Sequence, residues 1–257
     1  MRLAGIILVS ALLTADAIGA EIPPAERRSG TSFMTPDTKA MQDDDTANPG
    51  MLWVLDGEKL WARKIGAADK ACTDCHNDAR TSMKGIAAHY PAFDKTLGRP
   101  VDLQGRINLC RVNQQRATPL AYESRELLAL TAFVAQQSRG VAIETGSDPQ
   151  LAPFIANGRE LFMQRQGQLN LGCTNCHDDN WDKRLAGSAI TQAHPTGYPL
   201  YRLEWQSLGS LQRRLRACMS GIRAQAYDFG APELVELELY LMSRAKGVPL
   251  EAPAIRP

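Results

Sequence analysis

Two copies of the pentapeptide C-x-x-C-H constrain the fold of this chain more than any other feature of its sequence. They occupy residues 72–76 and 173–177, with their first cysteines 101 residues apart. In this order, two thiols can form thioethers with the vinyl groups of haem, and the adjacent imidazole can bind the iron. A zinc site would need four well-spaced ligands, and a thioredoxin-like dithiol would need a strand–helix context that is absent here. The sequence therefore predicts two covalently bound haem c groups. The predicted attachment residues are Cys72, Cys75, Cys173 and Cys176, and the predicted proximal iron ligands are His76 and His177.

An internal repeat of about 100 residues surrounds these motifs. Residues 57–61 match residues 158–162 at an offset of 101, residues 103–110 match 211–218 at 108, and residues 126–141 match 233–248 at 107. Apolar periodicity predicts helices over 57–64, 124–138 and 232–244, and no strand pattern of useful length is present. The sequence thus predicts a mainly α fold, with two tandem class I cytochrome c-like domains at residues 51–146 and 147–257.

The N-terminal segments carry different signals. Residues 1–20 combine Arg2 with a short apolar run and small residues, as in an export signal, and cleavage is expected after Ala17 or Ala20. Residues 21–50 contain four prolines and an acidic run, which is typical of an extended arm, either loose or wrapped on the domains. We therefore expect a periplasmic protein with no membrane span in its mature form. A formal net charge of +1 provides no basic excess for nucleic acid.

The sixth iron ligand has several candidates. Cys110 and Cys218 hold equivalent positions in the repeat and could supply thiolates, or they could form a disulfide in an oxidising compartment. His89 and His194 offer bis-histidine ligation, although their spacing fits neither neighbouring repeat register. Met219 is a further candidate for the second haem, but the equivalent residue in the first half is Arg111. An open site is the last alternative. Thiolate ligation is the prediction that fits the repeat best.

Arginines are concentrated around Cys218. Arg213, Arg214, Arg216 and Arg223 lie within five residues of it, and Arg214 is one helical turn before the cysteine. A guanidinium fork can bind an oxyanion at two points, so this segment could hold a sulfur oxyanion beside a reactive sulfur. A solvated basic helix face is the alternative. In the first half only Arg106 is retained, because Gly105 and Asn108 replace the other two arginines before the cysteine.

The chain resembles the SoxA family, the dihaem cytochrome c subunit of the SoxAX complex of bacterial sulfur oxidation. The resemblance covers nearly the whole mature chain. It rests on residues 28–54, on both C-x-x-C-H motifs, and on the segment Arg-Ala-Cys-Met-Ser at residues 216–220. Some members have lost the first haem, but Cys72, Cys75 and His76 are all present here, as in the dihaem type.

This resemblance implies an L-cysteine S-thiosulfotransferase. Such an enzyme couples thiosulfate oxidatively to a cysteine of the carrier SoxY, and two electrons leave through haem to a c-type cytochrome. It implies that Cys218 is the distal ligand of the second haem and carries a catalytic persulfide, that Arg214 binds substrate, and that Cys110 is the distal ligand of the first haem. It also implies a heterodimer with the cytochrome subunit SoxX.

Two other functions are compatible with a dihaem chain. One is a plain electron-transfer cytochrome without chemistry of its own, which would have no use for an arginine-flanked cysteine in one half only. The other is a dihaem peroxidase, which needs an open or displaceable sixth position and fits two thiolate-ligated irons poorly.

Overall fold

A computed structural model describes residues 22–257, so the predicted export signal lies outside the described residues. The segment before the first domain contains two short 3-10 helices, Pro24–Glu26 and Gly30–Phe33, followed by helix α1, Pro36–Asp43. Thr35 caps α1 by accepting a hydrogen bond from the backbone NH of Thr38. This arm is therefore partly helical rather than simply extended.

The first domain is mainly helical, as predicted. Its elements are α2 (Met51–Ala62), α3 (Thr73–His76), α4 (Ala79–Ser82), a 3-10 helix (Ile86–His89), β1 (Ala92–Asp94), β2 (Arg99–Val101), α5 (Leu103–Asn113) and α6 (Arg125–Gln136). The two strands form an antiparallel hairpin in which Asp94 is opposite Arg99.

The second domain has the same first helix, motif helix, hairpin and last two helices, but within residues 147–257 it lacks counterparts of α4 and of the 3-10 helix Ile86–His89 and gains a hairpin and a C-terminal strand. Its elements are a 3-10 helix (Pro149–Leu151), α7 (Ala152–Met163), α8 (Cys173–His177), β3 (Arg184–Leu185), β4 (Ser188–Ala189), β5 (Leu200–Arg202), β6 (Ser207–Gly209), α9 (Leu211–Gly221), α10 (Pro232–Arg244) and β7 (Ile255–Arg256). Strands β3 and β4 form the added antiparallel hairpin, and β5 lies between antiparallel β6 and parallel β7.

Glycines let the first and last helices of each domain cross closely. Helix α2 packs on α6, and α7 packs on α10. A Cβ placed on Gly57 would collide with the carbonyl of Ala129, and one placed on Gly158 would collide with the carbonyl of Glu236. These two glycines are equivalent in the repeat, so the same backbone-to-backbone contact sets the geometry of both domains.

The two domains share a continuous apolar core. A cluster centred on Trp61, Leu128 and Phe133 of the first domain extends to residues of β5, β6 and β7. A second cluster joins four residues from each side of the boundary: Ala87, Ala88, Ala135, Ile143, Met242, Ala245, Leu250 and Ala252. Backbone hydrogen bonds from Ile143 N to Val248 O (3.0 Å) and from Gly247 N to Ile143 O (2.9 Å) reinforce this contact.

Candidate haem sites

The first C-x-x-C-H motif opens into a cavity of about 270 Å³. Helix α3 presents Cys72, Cys75 and His76 to this cavity, and α5 presents Cys110. The structure thus brings together the four residues that the sequence predicts for the first haem, although Cys110 is 38 positions after Cys72.

The walls of this cavity suit a flat apolar ring. Most of its lining is apolar, with Trp61, Ile86, Leu130 and Val134 among the residues that form it. Its polar margin includes Tyr90 and Arg106. A large apolar space next to two thiols and an imidazole is the environment that covalently bound haem requires, so the residues present fit haem c.

Several neighbours hold the first motif in place. The indole of Trp61 lies 5.6 Å from the imidazole of His76, centroid to centroid, and its Nε1 donates to the carbonyl of Asn77 at 3.2 Å. Gln115 donates to the carbonyl of Lys70 at 3.0 Å. Burial raises the pKa of the Cys72 thiol to about 11, and the nearby charge of Cys110 acts in the same direction.

In the second motif, the histidine ring is oriented by a hydrogen bond. His177 Nδ1 donates to the carbonyl of Thr191 at 2.6 Å, which leaves Nε2 free to accept or to bind a metal ion. Burial lowers the pKa of His177, which favours the neutral ring. Thr191 lies just after the added β3–β4 hairpin, and sequence reasoning did not identify it.

Cys218 lies on α9, at the repeat position that Cys110 occupies on α5. Burial raises the pKa of Cys173 to about 12, and the charge of Cys218 raises it further. The adjacent Met219 is 7% exposed and packs with Phe162 and Leu234 in the core of this domain.

The other candidate distal ligands have different surroundings. His89 is exposed and is not part of the cavity wall, and His194 is buried with its Nδ1 donating to the carbonyl of Arg28 at 2.8 Å. Met83 does line the first cavity. All six cysteines are unpaired thiols, so Cys110 and Cys218 do not form a disulfide in this structure.

The arginines near Cys218 divide among different partners. Arg213 lies over the ring of Trp205 at 4.1 Å, and Arg216 lies over Phe229 at 4.5 Å. Arg214 has no hydrogen bond from its side chain and no ion pair with any residue in the described range 22–257. In the first domain, Arg106 instead forms an ion pair with Asp94 at 2.7 Å. The two domains therefore differ in whether the arginine before the cysteine has an ion-pair partner, as well as in the number of arginines.

Comparisons with known proteins agree with this architecture. The family model for the SoxA/TsdA cytochrome c domain matches twice, at residues 56–143 and 157–250. This defines the chain as a protein of two tandem cytochrome c domains.

Similar proteins show which family the chain belongs to. An L-cysteine S-thiosulfotransferase subunit SoxA from Pseudaminobacter salicylatoxidans is 36% identical over 91% of this chain and 82% of its own length. One from Rhodovulum sulfidophilum is 35% identical over 90% of this chain and 80% of its own length. The crystal structure of SoxXA from P. pantotrophus contains a chain that superimposes with a TM-score of 0.86 at 29% identity, covering 90% of this chain and 87% of that one. The chain belongs to the SoxA family.

Within residues 22–257, no helix is long and apolar enough to cross a membrane.

Proposed function

We propose that this protein is the SoxA-type subunit of an L-cysteine S-thiosulfotransferase. It would join the sulfane sulfur of thiosulfate to the cysteine sulfur of the carrier SoxY. The S–S bond forms as the carrier thiol loses its proton and two electrons leave the pair of sulfurs, to be taken up by a c-type cytochrome. The observation that carries this proposal is that Arg214 lies one turn before Cys218 on α9 and has no side-chain hydrogen bond or ion pair within residues 22–257.

The remaining assignments follow from the same proposal. The chain would bind two haem c groups, and the second would supply a one-electron acceptor next to the reacting sulfurs. Cys72, Cys75, Cys173 and Cys176 attach them, His76 and Cys110 bind the first iron, and His177 and Cys218 bind the second. Cys218 also carries a persulfide. Support comes from the first cavity, which gathers its four residues, and from the hydrogen bond that orients His177.

The partner and the compartment are proposed on similar grounds. Relatives carry the subunit name of a larger enzyme, and the matched crystal structure is of a SoxXA complex. We therefore expect a heterodimer with SoxX. Residues 1–20 have the pattern of an export signal, and C-x-x-C-H haem attachment in bacteria takes place outside the cytoplasm, so we place the complex in the periplasm.

Removal of the Arg214 side chain tests the substrate role directly. A charge-assisted contact contributes about 1.5–3 kcal/mol, so Arg214→Ala should reduce thiosulfate turnover with SoxY by roughly ten- to a hundredfold. Arg214→Lys should also be impaired, because it keeps the charge but loses the fork. Cys218→Ser should abolish turnover while both haems stay attached. Steady-state thiosulfate oxidation by the complete complex measures all three.

Arg106→Ala is the matched control, since Arg106 holds the same repeat position beside the other motif. It should change turnover much less than Arg214→Ala. Equal damage from the two alanine variants, or full activity of Cys218→Ser, would show that the second site is not the active site and would favour a plain electron-transfer cytochrome.

A further inference from the structure

One position in the repeat has reversed its charge between the two domains. Strands β1 and β5 occupy equivalent places, and the residue that ends each strand is Asp94 in the first domain and Arg202 in the second. Both positions lie in the same register of their hairpins, opposite Arg99 and Ser207. The two side chains therefore start from matching backbone positions.

In the first domain, Asp94 neutralises Arg106, which lies one helical turn before Cys110. Asp94 Oδ2 accepts from Arg106 at 2.7 Å, and its other oxygen accepts from the backbone NH groups of Thr96 and Leu97, both at 2.9 Å. The carboxylate is thus held in place by its own turn. Arg106 has a fixed partner and needs no external anion.

In the second domain the corresponding pair is Arg202 and Arg214. Because the repeat places Arg202 and Arg214 where Asp94 and Arg106 are in contact at 2.7 Å, the two guanidiniums lie near each other. Burial lowers the pKa of Arg202, and the charge of Arg214 lowers it further. Burial raises the pKa of Tyr198, the counterpart of Tyr90, to about 12, while the charge of Arg214 acts in the opposite direction.

Arg202 is held rigidly but is incompletely neutralised. Its side chain is 12% exposed, and its guanidinium lies over the ring of Trp205 at 5.2 Å. Within the described part of the chain, Arg202 Nε is buried without a hydrogen-bond partner. Among residues 22–257, it forms an ion pair with Glu204 at 2.9 Å, and the Glu204 side chain is 65% exposed. An ion pair with such an exposed partner is weak.

We infer that Arg202 and Arg214 together form a two-guanidinium site for the sulfonate end of thiosulfate. This inference rests on the proposed function and adds a residue to it. Two like charges close together, one of which has a buried donor without a partner among residues 22–257, are stabilised by a bound dianion. Guanidinium groups match the tetrahedral oxygens of a sulfonate with paired hydrogen bonds. The sulfonate makes this contact both in the bound substrate and in the transition state. Loss of the contact should therefore weaken thiosulfate binding more than it lowers the rate at which bound thiosulfate reacts.

Calorimetry tests this inference by measuring the equilibrium binding of thiosulfate to the oxidised complex with SoxX, in the absence of SoxY. Arg202→Ala should weaken thiosulfate binding at least tenfold. The affinity of Arg202→Lys should lie between that of Arg202→Ala and that of the unmodified protein. Arg202→Asp recreates the charge pattern of the first domain and should abolish measurable binding. In turnover assays, KM for thiosulfate should rise by the same factor as the dissociation constant, with kcat changed less than threefold.

Arg213→Ala is the matched control, because Arg213 lies over the same Trp205 ring but has Glu123 and Ser207 as neighbours. It should leave thiosulfate binding within twofold. If Arg202→Ala lowers the melting temperature but leaves thiosulfate affinity unchanged, Arg202 only supports the Trp205 turn and the inference is wrong. If Arg214→Ala and Cys218→Ser lose turnover while all Arg202 variants bind normally, this inference alone fails. Full turnover in those two variants would instead remove the proposed function.

Discussion

At the scale of single residues, the two proposed proximal histidines are supported in different ways. His177 has its ring fixed by the carbonyl of Thr191, whereas His76 rests against the face of Trp61. The first restraint fixes the tautomer, and the second restrains only the position of the ring. The motif alone specifies that a histidine is present. The neighbouring groups lie outside the motif, with Thr191 14 residues after His177 and Trp61 15 residues before His76, so the motif does not identify them.

Thiolate ligation is the residue-scale prediction. Cys110 shares the first cavity with His76, so ferric protein should give thiolate-type low-spin signals in electron paramagnetic resonance. Cys110→Ala should change one set of signals and leave the other intact. Met83 lines the same cavity, which makes Met83→Leu the matched control, and it should leave both sets unchanged. Signals of only bis-histidine or histidine–methionine type would contradict the prediction.

At the scale of helices and strands, local signals predicted much of the fold. Ser124 caps α6 by accepting from Leu127 N at 3.3 Å, and α10 spans the predicted residues 232–244. Helix α2, in contrast, begins at Met51 rather than at residue 57, because residues 51–55 are apolar all round and show no helical period. Its start is set by Asn48, which accepts from Gly50 N at 2.9 Å and donates to Pro253 O at 2.9 Å.

Local sequence also does not show what the arm contacts, since the partners of the arm lie at the far end of the chain. Gln42 is 7% exposed and accepts from the backbone NH of Ile255 at 3.1 Å and from Arg256 at 2.7 Å. Arg28 N donates to Gln192 at 2.7 Å. The arm therefore wraps on the second domain and covers β7. Composition predicted a proline-rich arm. It could not predict where the arm binds, because the contacting residues are more than 160 positions apart in sequence.

Loss of the arm contacts should lower stability. Gln42→Ala leaves the buried backbone NH of Ile255 without its acceptor and removes one of several acceptors of Arg256, which should cost about 1–3 kcal/mol. For a chain of this size, that corresponds to a fall in melting temperature of roughly 2–12 °C. Lys39→Ala, on the exposed side of the same helix, should shift it by less than about 2 °C. Deletion of residues 22–45 should have a larger effect and also weaken co-purification with SoxX. An unchanged melting temperature in both variants would mean that the arm is only a tether.

At the scale of the whole molecule, a polar cluster lies between the two domains. Asp102 is 2% exposed and caps α5, and its carboxylate accepts from Gly105 N at 2.8 Å, Tyr122 Oη at 3.0 Å and Gln212 Nε2 at 3.0 Å. Glu238 of α10 lines the same small interdomain cavity, of about 50 Å³. Each carboxylate is unremarkable in its own helix, so only the assembled domains reveal that the two face each other.

This pair should make stability depend on pH. Burial raises the pKa of both carboxyls, and the charge of Asp102 raises that of Glu238 further. Since Asp102 accepts three hydrogen bonds, Glu238 is the group that keeps its proton. A raised pKa in the folded state favours the protonated form, so this contribution to stability is complete below the unfolded-chain value of about 4.3. It is lost as the pH rises through the pKa of Glu238 in the folded protein.

Glu238→Gln should remove this dependence. The amide is uncharged at every pH, so the variant should melt above the unmodified protein at pH 8–9, and the difference between the two should shrink steadily toward pH 4. Melting temperatures of the haem-loaded protein across this range give the difference profile, in which the titration of all other groups cancels. Glu160→Gln, at an exposed position on α7, should give a flat difference profile. A flat profile for Glu238→Gln as well would show that the pKa of Glu238 is not raised in the folded protein, because the charge on Glu238 would then cost the folded state nothing.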